Sequence, residues 1–177
     1  DCYVNSDICV DFWRLWSPSW RAFRDELRGK RIDSLNVTCV GNGPIREFSG
    51  VLDYGPHAMA FVGSLLGTAP TRWGKYGPNN VDMFKAAAMV GETIVKVTTG
   101  NSAVLPETCV VVTSEGKRHE WREDGVAQGY AANDRELARN HRDVALRAFC
   151  RSFLNGEPND SFRLSTAGYR VLKEFDV

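Results

Sequence analysis

An aspartate and a histidine stand four positions apart, at Asp53 and His57, directly before the apolar run 58–66. Residues four apart on a helix lie on one face, a single turn apart. A carboxylate that orients an imidazole is a common acid–base arrangement, because the imidazole exchanges a proton near neutral pH. The spacing also fits a helix-start carboxylate beside a structural histidine, and spacing alone favours this structural interpretation.

The apolar run predicts the helix that positions this pair. We expect a helix at roughly 52–66, anchored in a core by Phe61, Leu65 and Leu66 and closed by Gly67. Residues 35–40 alternate apolar and polar side chains, which indicates a half-buried strand before that helix.

The remaining segments predict a sheet with flanking helices. The other expected elements are strands at 8–12, 71–73, 84–90, 93–98, 108–113 and 118–122 and helices at 17–27, 135–155 and 166–174. Ser17 suits the N-cap of the first helix and Pro18 its first position. Gly91 indicates a tight hairpin and Gly100 a further turn. Because strands cluster mid-chain and hairpins join them, the predicted fold class is α+β with a mainly antiparallel sheet.

Composition narrows the class of protein. The 177 residues are 43% hydrophobic and 25% charged, with 22 basic and 22 acidic side chains, so we expect a globular protein that binds neither nucleic acid nor an anionic membrane. No apolar run approaches the roughly 20 residues that span a bilayer. Five cysteines without a C-x-x-C pair predict a reducing, cytoplasmic location with no disulfide framework or zinc site. The sequence does not begin with Met, and we expect a piece of a longer chain.

A glycine-rich turn at 41–46 raises the question of a nucleotide site. It follows a predicted strand and precedes a helix, as in a dinucleotide fingerprint. However, Arg46 occupies the third glycine position, Pro44 removes a backbone donor, and no acidic residue follows at the end of a second strand. We therefore expect no cofactor-binding residue in this chain.

Several other side chains are candidates for binding. Arg14, Trp16 and Trp73 would suit a pocket mouth, although aromatic residues of this kind are more often found in cores or interfaces. Tyr54 stands beside Asp53 and is a substrate-binding candidate. Arg46 suits an anionic group or an ordinary surface ion pair.

The two remaining histidines and two cysteines have simpler interpretations. His119 lies in a charged strand and His141 on a charged helical face, so we expect both to be solvated. Cys39 and Cys109 lie in β-branched runs, where a thiol behaves as a small core hydrophobe.

Taken together, these segments resemble the C-terminal part of the glucose–fructose oxidoreductase and inositol dehydrogenase family. The most specific match is Leu52–His57, which resembles the family's Asp-x-Gly-x-His segment. Further segments that resemble the family are Val10–Arg14, Ser17–Trp20, Gly29–Ile32, Gly41–Pro44, Gly100–Asn101 and Ala148–Gly156.

The resemblance implies a division of the chain and a site. Residues 1–16 would be a remnant of the last strand of a nucleotide-binding domain, and residues 17–177 a substrate and oligomerisation domain. That domain would be an open sheet with helices packed on one face, and the other face commonly makes a homo-oligomer interface. Asp53 and His57 would be the catalytic pair on a sugar or polyol hydroxyl, while Tyr54, Arg46 and Arg14 would be substrate-binding.

The resemblance also implies a partner. The family's glycine-rich loop and its Glu-Lys-Pro motif with the catalytic lysine have no counterpart in this sequence. NAD or NADP is expected for the full-length enzyme, held by a Rossmann domain supplied in cis or in trans and not by this chain alone. Because hydride chemistry belongs to the cofactor, this chain alone should not perform it.

Two other functions stay open at this point. In the first alternative, the chain is a stand-alone, non-redox binding or assembly module that oligomerises through its open sheet face. A cofactor-free lyase or isomerase with His57 as base is a third alternative.

Overall fold

The computed structural model of the chain describes residues 12–41, 50–68, 70, 72–76, 83–102, 104–105, 108–123, 144–151 and 154–155. Its elements are a 3₁₀ helix at Trp13–Trp16, α1 at Pro18–Leu27, β1 at Ile32–Gly41, α2 at Gly50–Leu66, β2 at Gly74–Lys75, β3 at Met83–Val90, β4 at Thr93–Asn101, β5 at Thr108–Ser114 and β6 at Lys117–Arg122. Residues 144–151 are also helical.

The strands form one open, mixed sheet in the order β2-β3-β4-β1-β5-β6. Among the described strands, β1 and β4 are the one parallel pair, and the other neighbours are antiparallel. In the register, Val37 lies between Val97 and Val110. The predicted α+β class with a mainly antiparallel sheet is confirmed.

One face of this sheet carries the core. Leu35, Val37 and Cys39 alternate along β1 and are fully buried, as period-two burial requires. Both α1 and α2 pack their buried side chains into the cluster that these residues form. The prediction of helices on one face is therefore confirmed for α1 and α2.

Helix α1 follows its sequence signals. The Ser17 hydroxyl accepts a hydrogen bond from the backbone N–H of Trp20 at 3.1 Å, and Pro18 takes the first helical position. Trp20 is fully buried and makes T-shaped contacts with Phe61 of α2, at 4.6 Å between ring centroids, and Trp121 of β6, at 5.1 Å. These three rings join both helices to the sheet.

Two of the expected boundaries are wrong. The short strand lies at Gly74–Lys75, after Trp73, because Trp73 packs its ring against the core and donates its Nε1–H to the Pro70 carbonyl at 3.2 Å. Strand β4 does not turn at Gly100, because pairing with β1 continues to Asn101. The hairpin at Gly91 is confirmed, with φ of 57° at that glycine.

The outer segments are only partly covered by the described residues. The predicted strand at 8–12 lies outside them except for Phe12, and the helix at 166–174 lies wholly outside. The helix expected at 135–155 is described as helical at 144–151. In the described ranges, no helix is long and apolar enough to cross a membrane.

Candidate functional site

The predicted pair sits at the start of α2. Helix α2 begins at Gly50, so Asp53 lies in its first turn and His57 lies one turn later on the same side. Both residues are partly exposed, so neither is sealed in the core. Pro56 lies between them inside the helix, and since proline has no N–H, the usual hydrogen bond from residue 56 to the Leu52 carbonyl is missing there.

The start of α2 lies against the carboxyl ends of the parallel strand pair. Gly41 ends β1 and is the register partner of Asn101, which ends β4. A Cβ added to Gly41 would lie 2.5 Å from the hydroxyl oxygen of Tyr54 and 2.6 Å from its Cζ. A Cβ added to Gly50 would lie 2.6 Å from the side-chain Cγ of Asn101. The two glycines therefore let the Tyr54 ring and the Asn101 amide approach the backbone closely.

The imidazole of His57 contacts the residue that precedes the 3₁₀ helix. The rings of Phe12 and His57 are 5.3 Å apart between centroids at 76°, a T-shaped arrangement. Phe12 is 2% exposed and also packs against Ala60, one turn further along α2. The histidine ring is therefore bounded on one side by a buried aromatic ring.

Arg14 lies two residues beyond Phe12 and is committed to an ion pair. Its Nε–H donates to Oε2 of Glu123 at 2.7 Å, and the same oxygen accepts a hydrogen bond from the Thr108 hydroxyl, also at 2.7 Å. The Arg14 side chain is 10% exposed. The structure thus places this predicted substrate-binding residue beside the site, within a buried network, and its role toward a substrate stays a prediction.

The other sequence candidates fall in different places. Arg46 and His141 lie outside the described residues. The expectation of a solvated His119 is wrong: its side chain is 14% exposed and its Nδ1 lies 2.9 Å from Oε1 of Glu26. The reason is its register opposite Val112, which turns it toward the core face and α1. Trp16 packs against Phe149, at 6.1 Å between ring centroids.

The opposite face of the sheet carries a charged cluster on β5 and β6. Glu120 receives a hydrogen bond from the Nε–H of Arg122 at 2.5 Å and pairs with Arg118. Burial alone would raise the pKa of the Glu120 carboxyl, but the Arg122 hydrogen bond and the two arginine charges outweigh it and hold that pKa below its ordinary value. Burial, followed by the charge of Glu120, raises the pKa of the neighbouring Cys109 thiol.

The two cysteines that were predicted to lie in the core differ in their surroundings. Cys39 is fully buried in the core, as predicted. Cys109 is buried too, but it is the register partner of Thr38 and Arg122 on the opposite face, so its neighbours are charged. A thiol held in its protonated form in this way is a poor nucleophile.

Sequence reasoning did not find Asn101, Phe12, Thr108 or Glu123 as neighbours of the site. Asn101 was expected in a turn, and the pairing of β1 with β4 brings it to α2 across about 50 residues of sequence. The available signal was the glycine at position 50, since a glycine opening a helix permits a close approach.

The matches to known proteins come from structure alone. No family model matches the sequence, and no curated protein sequence matches it. A myo-inositol dehydrogenase from Corynebacterium glutamicum superposes with a TM-score of 0.66 and 11% identity, over 95% of this chain and 62% of that chain. A myo-inositol dehydrogenase from Lactobacillus casei, solved with NAD(H) and myo-inositol, superposes with a TM-score of 0.66 and 14% identity, over 91% of this chain and 56% of that chain.

A scyllo-inositol dehydrogenase from Lactobacillus casei gives a TM-score of 0.65 and 13% identity over 94% of this chain and 60% of that chain. The chain thus spans about three-fifths of the length of the dehydrogenases that it matches. It has the fold of the C-terminal domain of the glucose–fructose oxidoreductase and inositol dehydrogenase family, which confirms the predicted resemblance at the level of fold.

Proposed function

We propose that this chain supplies the substrate-binding part of an NAD(P)-dependent oxidoreductase that acts on a sugar, a polyol or a related hydroxyl or carbonyl compound. The observation that carries the proposal is the start of α2, where Asp53 and His57 lie one turn apart and partly exposed, beside the carboxyl ends of β1 and β4. In α/β sheets, ligands bind outside the carboxyl ends of parallel strands, and β1 and β4 are the parallel pair among the described strands. The dehydrogenases with this fold, one of them solved with NAD(H) and myo-inositol, support the same reaction class.

In this proposal, the chain's own residues bind the hydroxyls and move a proton. Oxidation of an alcohol to a ketone removes a hydride from carbon and a proton from oxygen. His57 accepts the hydroxyl proton at a ring nitrogen, and Asp53 accepts a hydrogen bond from a second hydroxyl of the substrate. Bound NAD(P), held by a nucleotide-binding domain, is the hydride acceptor.

The proposal is tested by turnover. The chain is expressed with a nucleotide-binding domain, taken either from the same reading frame or from a family member, and NAD and NADP reduction is measured across sugars and polyols that include myo-inositol. We expect reduction with at least one polyol, and loss of about 10²-fold to 10⁴-fold in kcat for His57→Ala. A folded two-domain protein that binds the cofactor yet oxidises none of the panel would count against the proposal.

The second candidate is an assembly module that pairs with a second copy through the sheet face opposite the helices. The observation that favours it is the cross-strand pair Met89 and Ile94, which lie opposite each other in β3 and β4 and are 58% and 45% exposed. Across the same face, Glu120 lies between Arg118 and Arg122 and offers both signs of charge to a partner.

Sedimentation separates the second candidate from a monomer. We expect the 177-residue chain to sediment as an oligomer and Met89→Lys with Ile94→Lys to sediment as a monomer. Lys75→Glu, which changes an exposed charge at the edge strand β2, is the control. A native chain that sediments as a monomer at every concentration measured would count against assembly through this face.

A further inference from the structure

Arg14, Glu123 and Thr108 form a buried polar network at the end of the sheet nearest α2. One carboxylate oxygen of Glu123 accepts from Arg14 Nε–H and from the Thr108 hydroxyl, both at 2.7 Å. The Arg14 and Glu123 side chains are 10% and 21% exposed, and Thr108 is buried. Charges withdrawn from water to this extent are held firmly by their partners, because loss of one partner leaves the other uncompensated.

The network ties the 3₁₀ helix to two strands of the sheet. Thr108 opens β5 and Glu123 directly follows β6, while Arg14 lies inside the 3₁₀ helix. The backbone N–H of Leu15 donates to the Phe12 carbonyl at 2.9 Å, so Phe12 belongs to the same fixed turn. The Phe12 residue and the ion pair of Arg14 therefore share one hydrogen-bonded turn.

Phe12 in turn limits the His57 ring. Its ring is almost fully buried and contacts the imidazole at 5.3 Å and 76°. A histidine ring bounded by a fixed aromatic ring loses part of its freedom about χ2, which is otherwise a broad torsion. A base held in this way keeps its nitrogen aligned with the hydroxyl proton that it accepts.

We propose that Arg14, Glu123, Thr108 and Phe12 are positioning residues that fix the orientation of His57. The inference rests on the proposed role of His57 as the proton acceptor, and it assigns Arg14 to positioning where the sequence suggested direct binding. None of the four residues takes part in the proton transfer itself.

The first test reads the His57 ring directly. The carbon-bound ring protons of His57 are followed by NMR in the 177-residue chain, with assignment from the His57→Gln spectrum. We expect Phe12→Leu to remove the ring-current displacement of these signals, and Glu123→Gln and Thr108→Val to shift them the same way by smaller amounts. Asp25→Asn, which breaks the exposed Arg28–Asp25 pair, is the matched control and leaves them unchanged.

The second test separates positioning from binding. In the two-domain protein, we expect Phe12→Leu and Thr108→Val to lower kcat by about 10-fold to 100-fold with KM within about twofold, and Phe12→Tyr to recover most of the loss. Thr108→Val and Phe12→Leu keep both charges of the network, so these two variants still test the inference if Glu123→Gln does not fold.

The outcomes distinguish the two proposals. One set of results overturns positioning and leaves the proposed function standing. In it, His57→Ala abolishes turnover, whereas folded Phe12→Leu and Thr108→Val keep the native kcat. In addition, Thr108→Val leaves the NMR signals of His57 unmoved. If the native two-domain protein turns over no substrate, the proposed function fails, and unmoved His57 signals in Glu123→Gln and Thr108→Val would overturn the positioning inference independently.

Discussion

Two glycines determine how closely side chains approach the start of α2. Gly41 lies under the Tyr54 ring and Gly50 lies against the Asn101 amide, and in both places a Cβ would overlap its neighbour. Neither glycine has positive φ. Glycine is needed at these two positions because there is no room for a Cβ, and not because of the backbone conformation. At this scale, the family resemblance, and not the spacing alone, singled out Asp53 and His57 as the candidate pair, and the sequence did not indicate which side chains surround them.

Gly41→Ala should therefore destabilise the protein. The new methyl group overlaps the Tyr54 phenol, so we expect a loss of about 1–3 kcal/mol in the free energy of unfolding, measured by urea titration. Gly74→Ala is the control, because the nearest atom to its added Cβ is the Ala87 carbonyl oxygen at 3.9 Å. Equal stability of the two variants would contradict the close approach of Tyr54.

Gly50 and Asn101 should show coupling in a double-mutant cycle. Gly50→Ala alone is expected to destabilise, since the added Cβ meets the Asn101 side chain at 2.6 Å. In an Asn101→Ala background, the same change should stabilise by up to about 1 kcal/mol, because alanine favours helix. Additive effects in thermal and urea unfolding would show that the two residues do not touch.

Helices and strands were predicted correctly where the residues that determine them lie within the element itself. Helix α1 has its cap, its proline and its buried stripe at Trp20, Phe23 and Leu27 within one segment, and the prediction of this helix is confirmed. The end of β4 is different, because pairing with β1 overrides the turn preference of Gly100. The parallel pairing of β1 with β4 is a tertiary property, and neither strand's own pattern predicted it.

The cap of α1 gives a prediction at this scale. Ser17→Ala removes the acceptor for the Trp20 N–H and should lower the free energy of unfolding by about 1 kcal/mol. Ser17→Asp keeps a capping acceptor and should therefore keep most of that stability. Ser64→Ala, which removes a hydroxyl bonded to the Phe61 carbonyl within α2, should change stability by less than about 0.5 kcal/mol. The prediction is contradicted if both alanine variants unfold at the same urea concentration.

The whole molecule divides into a helix-covered face and an opposite face with its own charges. The family resemblance anticipated both this division and the fold. The buried pairing of Arg14 with Glu123 was not predictable, because those residues are 109 positions apart and meet only when the sheet is assembled. The burial of the His119 side chain was not predictable either, because the charged residues of its strand suggested a solvated histidine.

Glu120 on the opposite face should contribute to stability in a pH-dependent way. Its pKa is held below the ordinary glutamate value, so the charged form stabilises the fold above that ordinary value, and the contribution is lost as pH falls through the folded-state pKa. We expect Glu120→Gln to be less stable than the native chain at about pH 7 and to approach it at about pH 3. Glu115→Gln, in the exposed turn before β6, should show no such convergence.

The central claim is that His57, presented at the start of α2, accepts the proton from a substrate hydroxyl. The most direct measurement compares kcat for NAD(P)-linked oxidation in the two-domain protein between the variants His57→Ala and His119→Gln. The His119 side chain pairs with Glu26 of α1. We expect a loss of about 10²-fold to 10⁴-fold for His57→Ala and near-native kcat for His119→Gln. Native kcat in a folded His57→Ala variant would contradict the account.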